Sequence, residues 1–205
     1  MLQDIDVIAW DFDGVLNRNL VNDRFEWVQK FEEDLDVSWP SFAKVIFSEH
    51  YEDVLIGKVD LKKPLQQWAA IVGYTGNLDD FMHYWFERDA HPDQDLIALM
   101  GTLSQAGVRQ VIATNNEAHR VRYIGEDMGY SNRVETIFAS GPMGCVKPNA
   151  DYFIHISTSL GISPARILLI DDREENVIAA QDMGWKALHF TPKTKEQILK
   201  VLKEA

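Results

Sequence analysis

A chain of 205 residues, 46% hydrophobic and 25% charged, has ordinary globular composition and can bury a sizeable core, as one domain with an insertion or as two small ones. Its formal net charge of −12 speaks against nucleic acid or an anionic membrane surface as a partner, and no apolar run reaches the roughly 20 residues that a membrane span requires. One cysteine, Cys145, excludes an internal disulfide, and Asp4 and Asp6 stand where a secretory leader would be basic, so the expected location is a reducing cytoplasm.

The first predicted element is an apolar strand over residues 5–10, followed at once by Asp11 and Asp13. Side chains two apart on an extended chain share a face, and paired carboxylates repel, which favours a chemical task over a stabilising one. From residue 17 to about 90 the pattern is helical, without convincing strands. Phe25, Val28, Phe31 and Leu35 follow helical spacing, as do Phe42, Val45 and Ile46, and then Leu61, Leu65, Trp68 and Val72. Thirteen of the 22 aromatic residues fall between Phe25 and Phe86, and most are expected to form a small helical core, with a few facing a ligand.

Further on, strand and helix alternate. Leu96, Leu99, Met100 and Leu103 mark a helix ended by Gly107. Residues 108–114 form a short strand closing on Thr114-Asn115-Asn116, and Val121, Ile124 and Met128 a helix stopped by Gly129. Residues 135–139 are a strand, and Pro148 opens a helix carrying Phe153, Ile156 and Leu160. Residues 166–170 are a strand ending in Asp171-Asp172, 174–183 a helix, 186–190 the last strand, and Ile198, Leu199 and Leu202 mark a terminal helix. This alternation predicts an α/β fold: a Rossmann-like parallel sheet with right-handed crossovers and helices on both faces. The expected core comprises residues 1–16 and 91–205, with 17–90 an inserted helical domain.

Strand ends in such a sheet share one rim. That rim gathers Asp11, Asp13, Thr114, Lys147, Asp171 and Asp172: a candidate nucleophile, a candidate acid/base, a hydroxyl donor, a fixed cation and further acids. Four carboxylates against one ammonium call for another cation, and hard oxygen donors suit magnesium held together with water and substrate phosphate.

In this order, DFDGVL, IATNN, VKPNADYF and LLIDDREENVIAAQDMGW resemble the four motifs of the haloacid dehalogenase-like (HAD) superfamily. An insertion directly behind the first motif resembles its helical-cap branch, and the Thr-Asn pair and double aspartate look most like its sugar-phosphate phosphatases, such as the alpha-D-glucose-1-phosphate phosphatases. The resemblance implies a magnesium-dependent phosphatase that hydrolyses a small phosphorylated metabolite, a sugar phosphate first of all, through an aspartyl-phosphate. It casts Asp11 as nucleophile, Asp13 as general acid and then base, and Lys147 as the cation on nucleophile and phosphate. Thr114 and Asn115 become phosphate ligands, aided by N–H groups of the helix after Asn116. Asp11, the Asp13 carbonyl and Asp172 become magnesium ligands, with Asp171 acting through water or orienting Lys147. Many relatives carry an aspartate where this chain has Asn176, so the metal site lacks one charge.

The alternatives are a phosphomutase of the same fold and a non-enzymatic phospho-accepting domain. A receiver-like domain, however, lacks both an acid two residues beyond its acceptor and a large insertion. A haloacid dehalogenase has no use for Asp13 or the metal carboxylates. The expected partner is a small phosphorylated substrate, and the expected state a monomer or homodimer. Cys145 reads as a bystander thiol, His119 as a helix surface residue, and Glu174 and Glu175 as solvated first-turn charge. His50, Tyr51, Arg18 and Arg24 are weaker candidates for substrate contact.

Overall fold

A computed structural model describes residues 4–21, 24–48 and 50–203. Strand β1 (Val7–Trp10) is buried at every position, as a strand covered on both faces must be. The chain then makes a short antiparallel ribbon, β2 (Leu20–Val21) and β3 (Arg24–Phe25), followed by α1 (Phe31–Leu35), α2 (Trp39–Ile46), α3 (Tyr51–Leu55), α4 (Lys62–Val72) and α5 (Leu78–Arg88). The ribbon departs from the all-helical expectation; two residues per strand leave no alternation to read. Helix α6 (Gln94–Gln105) leads back to β4 (Arg109–Thr114), α7 (Ala118–Gly125), β5 (Thr136–Ala139) and the one-turn α8 (Ser140–Met143). The remainder is α9 (Ala150–Leu160), β6 (Ile167–Asp171), α10 (Glu174–Asp182), β7 (Lys186–His189) and α11 (Lys195–Lys203).

Five parallel strands lie in the order β5-β4-β1-β6-β7. Central β1 pairs Trp10 with Ile112 on one side and Ile170 on the other, so the strand ends line up along one rim. Alternate residues of β1 enter opposite layers. Ile8 and Trp10 pack with Leu96 and Leu99 of α6, Ile124 of α7 and Leu202 of α11. Val7 and Ala9 pack with Phe153 and Ile156 of α9 and Ala180 of α10. The helices thus cover both faces.

The segment between β1 and α6 has its own aromatic core. Fully buried Phe42 sits 5.0 Å from Phe31, 5.2 Å from Trp68, 5.5 Å from Phe81 and 5.8 Å from Trp27, centroid to centroid. Tyr123 of α7 joins the same cluster, which ties this segment to the sheet.

Two sequence readings shift. Helix α9 starts at Ala150 behind Asn149, so Pro148 stands outside it, joined to Lys147 by a cis peptide bond. Helix α7 ends at Gly125, and Met128 lies in the turn beyond. Among the described residues no helix is long and apolar enough to cross a membrane.

Candidate active site

The main chain of Asp11 still belongs to the sheet, its N–H donating to the Ile170 carbonyl at 2.8 Å. Its buried carboxylate accepts from the Phe12 N–H at 2.7 Å and lies 2.8 Å from Lys147 Nζ. Lys147 also donates to Asp171 Oδ2 at 2.6 Å and to the Ala113 carbonyl at 2.7 Å. An ammonium has three hydrogens, and each has a partner here. The Asn115 side chain clamps the Lys147 main chain, donating to its carbonyl and accepting from its N–H, both at 2.9 Å. Asn115 therefore serves the lysine directly.

Asp171, fully buried as the last residue of β6, accepts from Lys147 on one oxygen and from the Arg173 N–H and Asn176 Nδ2 on the other, both at 2.9 Å. Its acceptor capacity is turned inward, which suits orienting Lys147. Asp172 faces Gly14 instead. Gly14 has φ +85°, and a Cβ there would fall 2.0 Å from Asp172 Oδ2, so glycine both permits the turn and leaves room for the carboxylate.

Oxygens of Asp11, Asp171 and Asp172 lie within 4.8 Å of one another. Burial and Asp171 push the Asp11 carboxyl well above the usual carboxylate range, against the pull of Lys147. Asp172 is pushed up to about 6 by burial and then by Asp171. Carboxylates crowded in this way favour a cation between them. Asn176 Oδ1 is buried without a partner while its amide donates to Asp171. A hard divalent ion, with its water, fits this donor set.

Asp13 sits in a different setting. Asn17 and Asn19 donate to its Oδ1 at 3.0 and 2.9 Å, and Asn116 donates to its Oδ2 at 2.9 Å. The Asn116 amide also donates to Thr114 Oγ1 at 2.8 Å, bringing the phosphate-ligand candidate beside the acid. Beyond the amides, Arg120 lies 3.6 Å from Asp13 and 2.6 Å from Asp89. Asp89 is pushed up to about 7 by burial, in spite of Arg120. Asn17, Asn19, Asn116, Asp89, Glu117 and Arg120 were not singled out from the sequence. Only Glu117 carried a readable signal, an acid directly before a helix, and it caps α7 by accepting from the His119 and Arg120 N–H groups.

All of this opens into one cavity of about 350 Å³. Asp11, Asp13, Thr114, Asn115, Lys147, Asp172 and Asn176 form its floor, and Phe25, Trp27, Phe47, Leu55, Leu61, Trp85 and Phe86 its walls. Tyr51, Asp89, Glu117 and Arg120 also line it. Of the weaker candidates, Tyr51 reaches the cavity, whereas Arg18 pairs with Asp93 at 3.4 Å and His50 is exposed. The Arg24 side chain lies outside the described residues. His119 is largely covered, not a free surface residue: it meets Asp60 at 3.0 Å. Half-buried Cys145 lies off the cavity lining, and burial pushes its thiol up, away from reactivity. Exposed Glu175 pairs with Arg173.

A doubly wound sheet with strand-end acids, lysine and threonine on one rim defines a hydrolase of the haloacid dehalogenase-like class. The profile of that family matches residues 5–184, and the chain belongs to it. It is similar to the sesquiterpene phosphatase astK of Aspergillus oryzae, with 30% identity over 162 residues, 77% of this chain and 81% of the relative. A HAD-like family hydrolase from Porphyromonas gingivalis superposes with a TM-score of 0.76 at 18% identity, covering 98% of this chain and 99% of the other. A HAD family enzyme from Bacteroides thetaiotaomicron, solved in complex with magnesium and inorganic phosphate, gives 0.74 at 16% identity over 91% and 94%. The L-2-haloacid dehalogenase of Xanthobacter autotrophicus gives 0.65 at 16% identity over 96% and 82%. At these identities the solved structures share the fold.

Proposed function

We propose that this hydrolase is a magnesium-dependent phosphatase that cleaves a small phosphate monoester bearing an apolar group. The observation that carries the reading is that Asp11, Asp13, Thr114, Lys147 and Asp172 share one cavity with Phe25, Trp27, Phe47, Trp85 and Phe86. In this reading Asp11 attacks phosphorus, the bond from phosphorus to the ester oxygen breaks, and Asp13 delivers its proton to the leaving oxygen. Water then attacks the phosphorus of the aspartyl-phosphate and gives its proton to Asp13, which frees phosphate and restores both acids. Lys147 aims Asp11 and opposes the burial that disfavours its charged form. Thr114 receives a phosphoryl oxygen, whereas the His119 and Arg120 N–H groups at the start of α7, which the motifs offered to the phosphate, are taken by the Glu117 carboxylate. Asp11, Asp172 and the Asp13 carbonyl would hold magnesium, and Asn176 Oδ1, buried without a partner, would accept from a water of that ion. The ion supplies positive charge against the phosphoryl oxygens. The segment over residues 17–90 acts as the cap that shields this chemistry from water and selects the substrate.

A sugar phosphate is the substrate class that the motifs suggested. The ring-lined walls favour an apolar ester, because each sugar hydroxyl buried there unpaired would cost about 1–3 kcal/mol. The name of the Aspergillus relative, a sesquiterpene phosphatase, is in keeping with this. A mutase needs a second anion site; Lys147 and Arg120 are held by buried carboxylates, and among the described residues Arg173 is the cavity-lining cation paired only with an exposed acid, Glu175.

The test compares wild type and Asp11→Asn on p-nitrophenyl phosphate, with magnesium and after EDTA. It then compares kcat/KM for decyl phosphate and glucose 1-phosphate. Turnover confined to the magnesium-loaded wild type is expected, with decyl phosphate preferred by more than about a hundredfold. Activity in Asp11→Asn, or a preference for the sugar ester, would overturn the respective part of the reading.

A further inference from the structure

We propose that Arg120 and Asp89 are positioning residues that aim the carboxyl of Asp13, and do so while the end of α5 is seated on α7. The inference rests on the acid/base role given to Asp13 above. A carboxyl that hands a proton to a leaving oxygen must present one oxygen in a fixed plane. Here the plane is set by the Asn17 and Asn19 amides on one oxygen and the Asn116 amide on the other.

Two of those amides are themselves held by Asp89. The Asn19 amide donates to both Asp13 Oδ1 and Asp89 Oδ2, each at 2.9 Å, and the Asn17 amide to both Asp13 Oδ1 and the Asp89 carbonyl, the latter at 2.9 Å. Asp89 is fixed in turn by the Arg120 guanidinium at 2.6 Å. Arg120 also donates to the Phe86 carbonyl at 3.2 Å and lies 5.3 Å over the Phe86 ring. Phe86 and Asp89 belong to the last turn and cap of α5, whereas Arg120 belongs to α7. The chain of contacts from sheet to acid thus passes through the end of the inserted segment, and both charged members are buried. If α5 lifts away from α7, Asp89 leaves the Asn17 and Asn19 amides, and Asp13 keeps a fixed donor on one oxygen only, the Asn116 amide.

The geometry supplies a graded test. Asp89 Oδ2 carries the contacts to Arg120 and Asn19, whereas Oδ1 is buried without a partner. In Asp89→Asn the amide oxygen can keep both contacts and the NH2 can take the unpartnered place. In Asp89→Ala and Arg120→Met the link is cut. The assay uses magnesium-loaded full-length protein and two esters: decyl phosphate, whose alkoxide must be protonated to leave, and p-nitrophenyl phosphate, whose phenolate leaves unaided. Melting temperatures report the folded fraction.

For Asp89→Ala and Arg120→Met, kcat on decyl phosphate is expected to fall about 10- to 100-fold with KM changed less than about threefold. The first-turnover burst of p-nitrophenol should survive at the amplitude of the folded enzyme, with slower turnover after it. Asp89→Asn should recover at least about tenfold of the loss. Equal losses on both esters together with a lost burst, unchanged kcat in the cut variants, or no recovery in Asp89→Asn would overturn the proposal. If wild type turns over neither ester, the phosphatase reading itself fails, and this proposal with it.

Discussion

Lys147 commits all three ammonium hydrogens inside the protein, to Asp11, Asp171 and the Ala113 carbonyl, so its aim depends on Asp171. Each Asp171 oxygen faces donors, Lys147 on one side and Asn176 with the Arg173 N–H on the other. In Asp171→Asn either orientation of the amide sets a donor against a donor. The variant is expected to lose at least about tenfold in kcat and about 1–3 kcal/mol of stability, read by steady-state kinetics and urea unfolding; near-wild-type values in both would show that Asp171 does not orient the lysine. The acids and threonine were legible because reactive residue types stood at successive strand ends that one rim could gather; Lys147 lies beyond α8, past the end of β5, and was legible through the order of the motifs. Asn17, Asn19, Asp89 and Arg120 were not. They meet Asp13 and one another across up to 72 residues of chain, and an isolated amide or arginine carries no periodicity to mark it.

The helices that were easiest to read are also those fastened with least ambiguity. Asp93 caps α6, accepting from the Asp95 and Leu96 N–H groups at 3.1 and 3.2 Å, and receives Lys195 of α11 at 2.7 Å. Burial alone would raise its carboxyl, but the Lys195 and Leu96 hydrogen bonds outweigh burial and hold it below the usual range. A carboxyl depressed in the folded state stabilises above its unfolded pKa, near 4, and ceases to do so as pH falls through the folded value. Asp93→Asn keeps the cap oxygen but turns an amide NH2 towards Lys195. It should cost about 1–2 kcal/mol at pH 7, with the gap from wild type closing as pH falls below the usual carboxylate range; urea unfolding at neutral and acid pH measures this, and a gap that does not change with pH would contradict it. The inserted helices were harder to divide into core and wall. Phe42 is fully buried and Phe47 is 36% exposed and lines the cavity, yet as ring types in a helical pattern they look alike. Hydrophobic spacing identifies a buried face without telling whether protein or ligand covers it.

For the molecule as a whole, a net charge of −12 sets a general field against any phosphorylated substrate. The arginine nearest Asp13 is bound to Asp89, and the lysine of the floor to Asp11 and Asp171. In the proposed reading, affinity comes from a local divalent ion, from Arg173 at the cavity edge and from apolar contact with the rings. The sheet supplies the floor and the inserted segment the walls, so the rim of five strand ends is where the two meet. The central claim is that this rim forms a covalent phosphoryl-enzyme on Asp11. The direct measurement is acid quench during turnover of decyl phosphate with magnesium, followed by proteolysis and mass spectrometry. A phosphoryl group on the peptide containing Asp11, absent from Asp11→Asn, is predicted; a phosphoryl group on a different side chain would contradict the account.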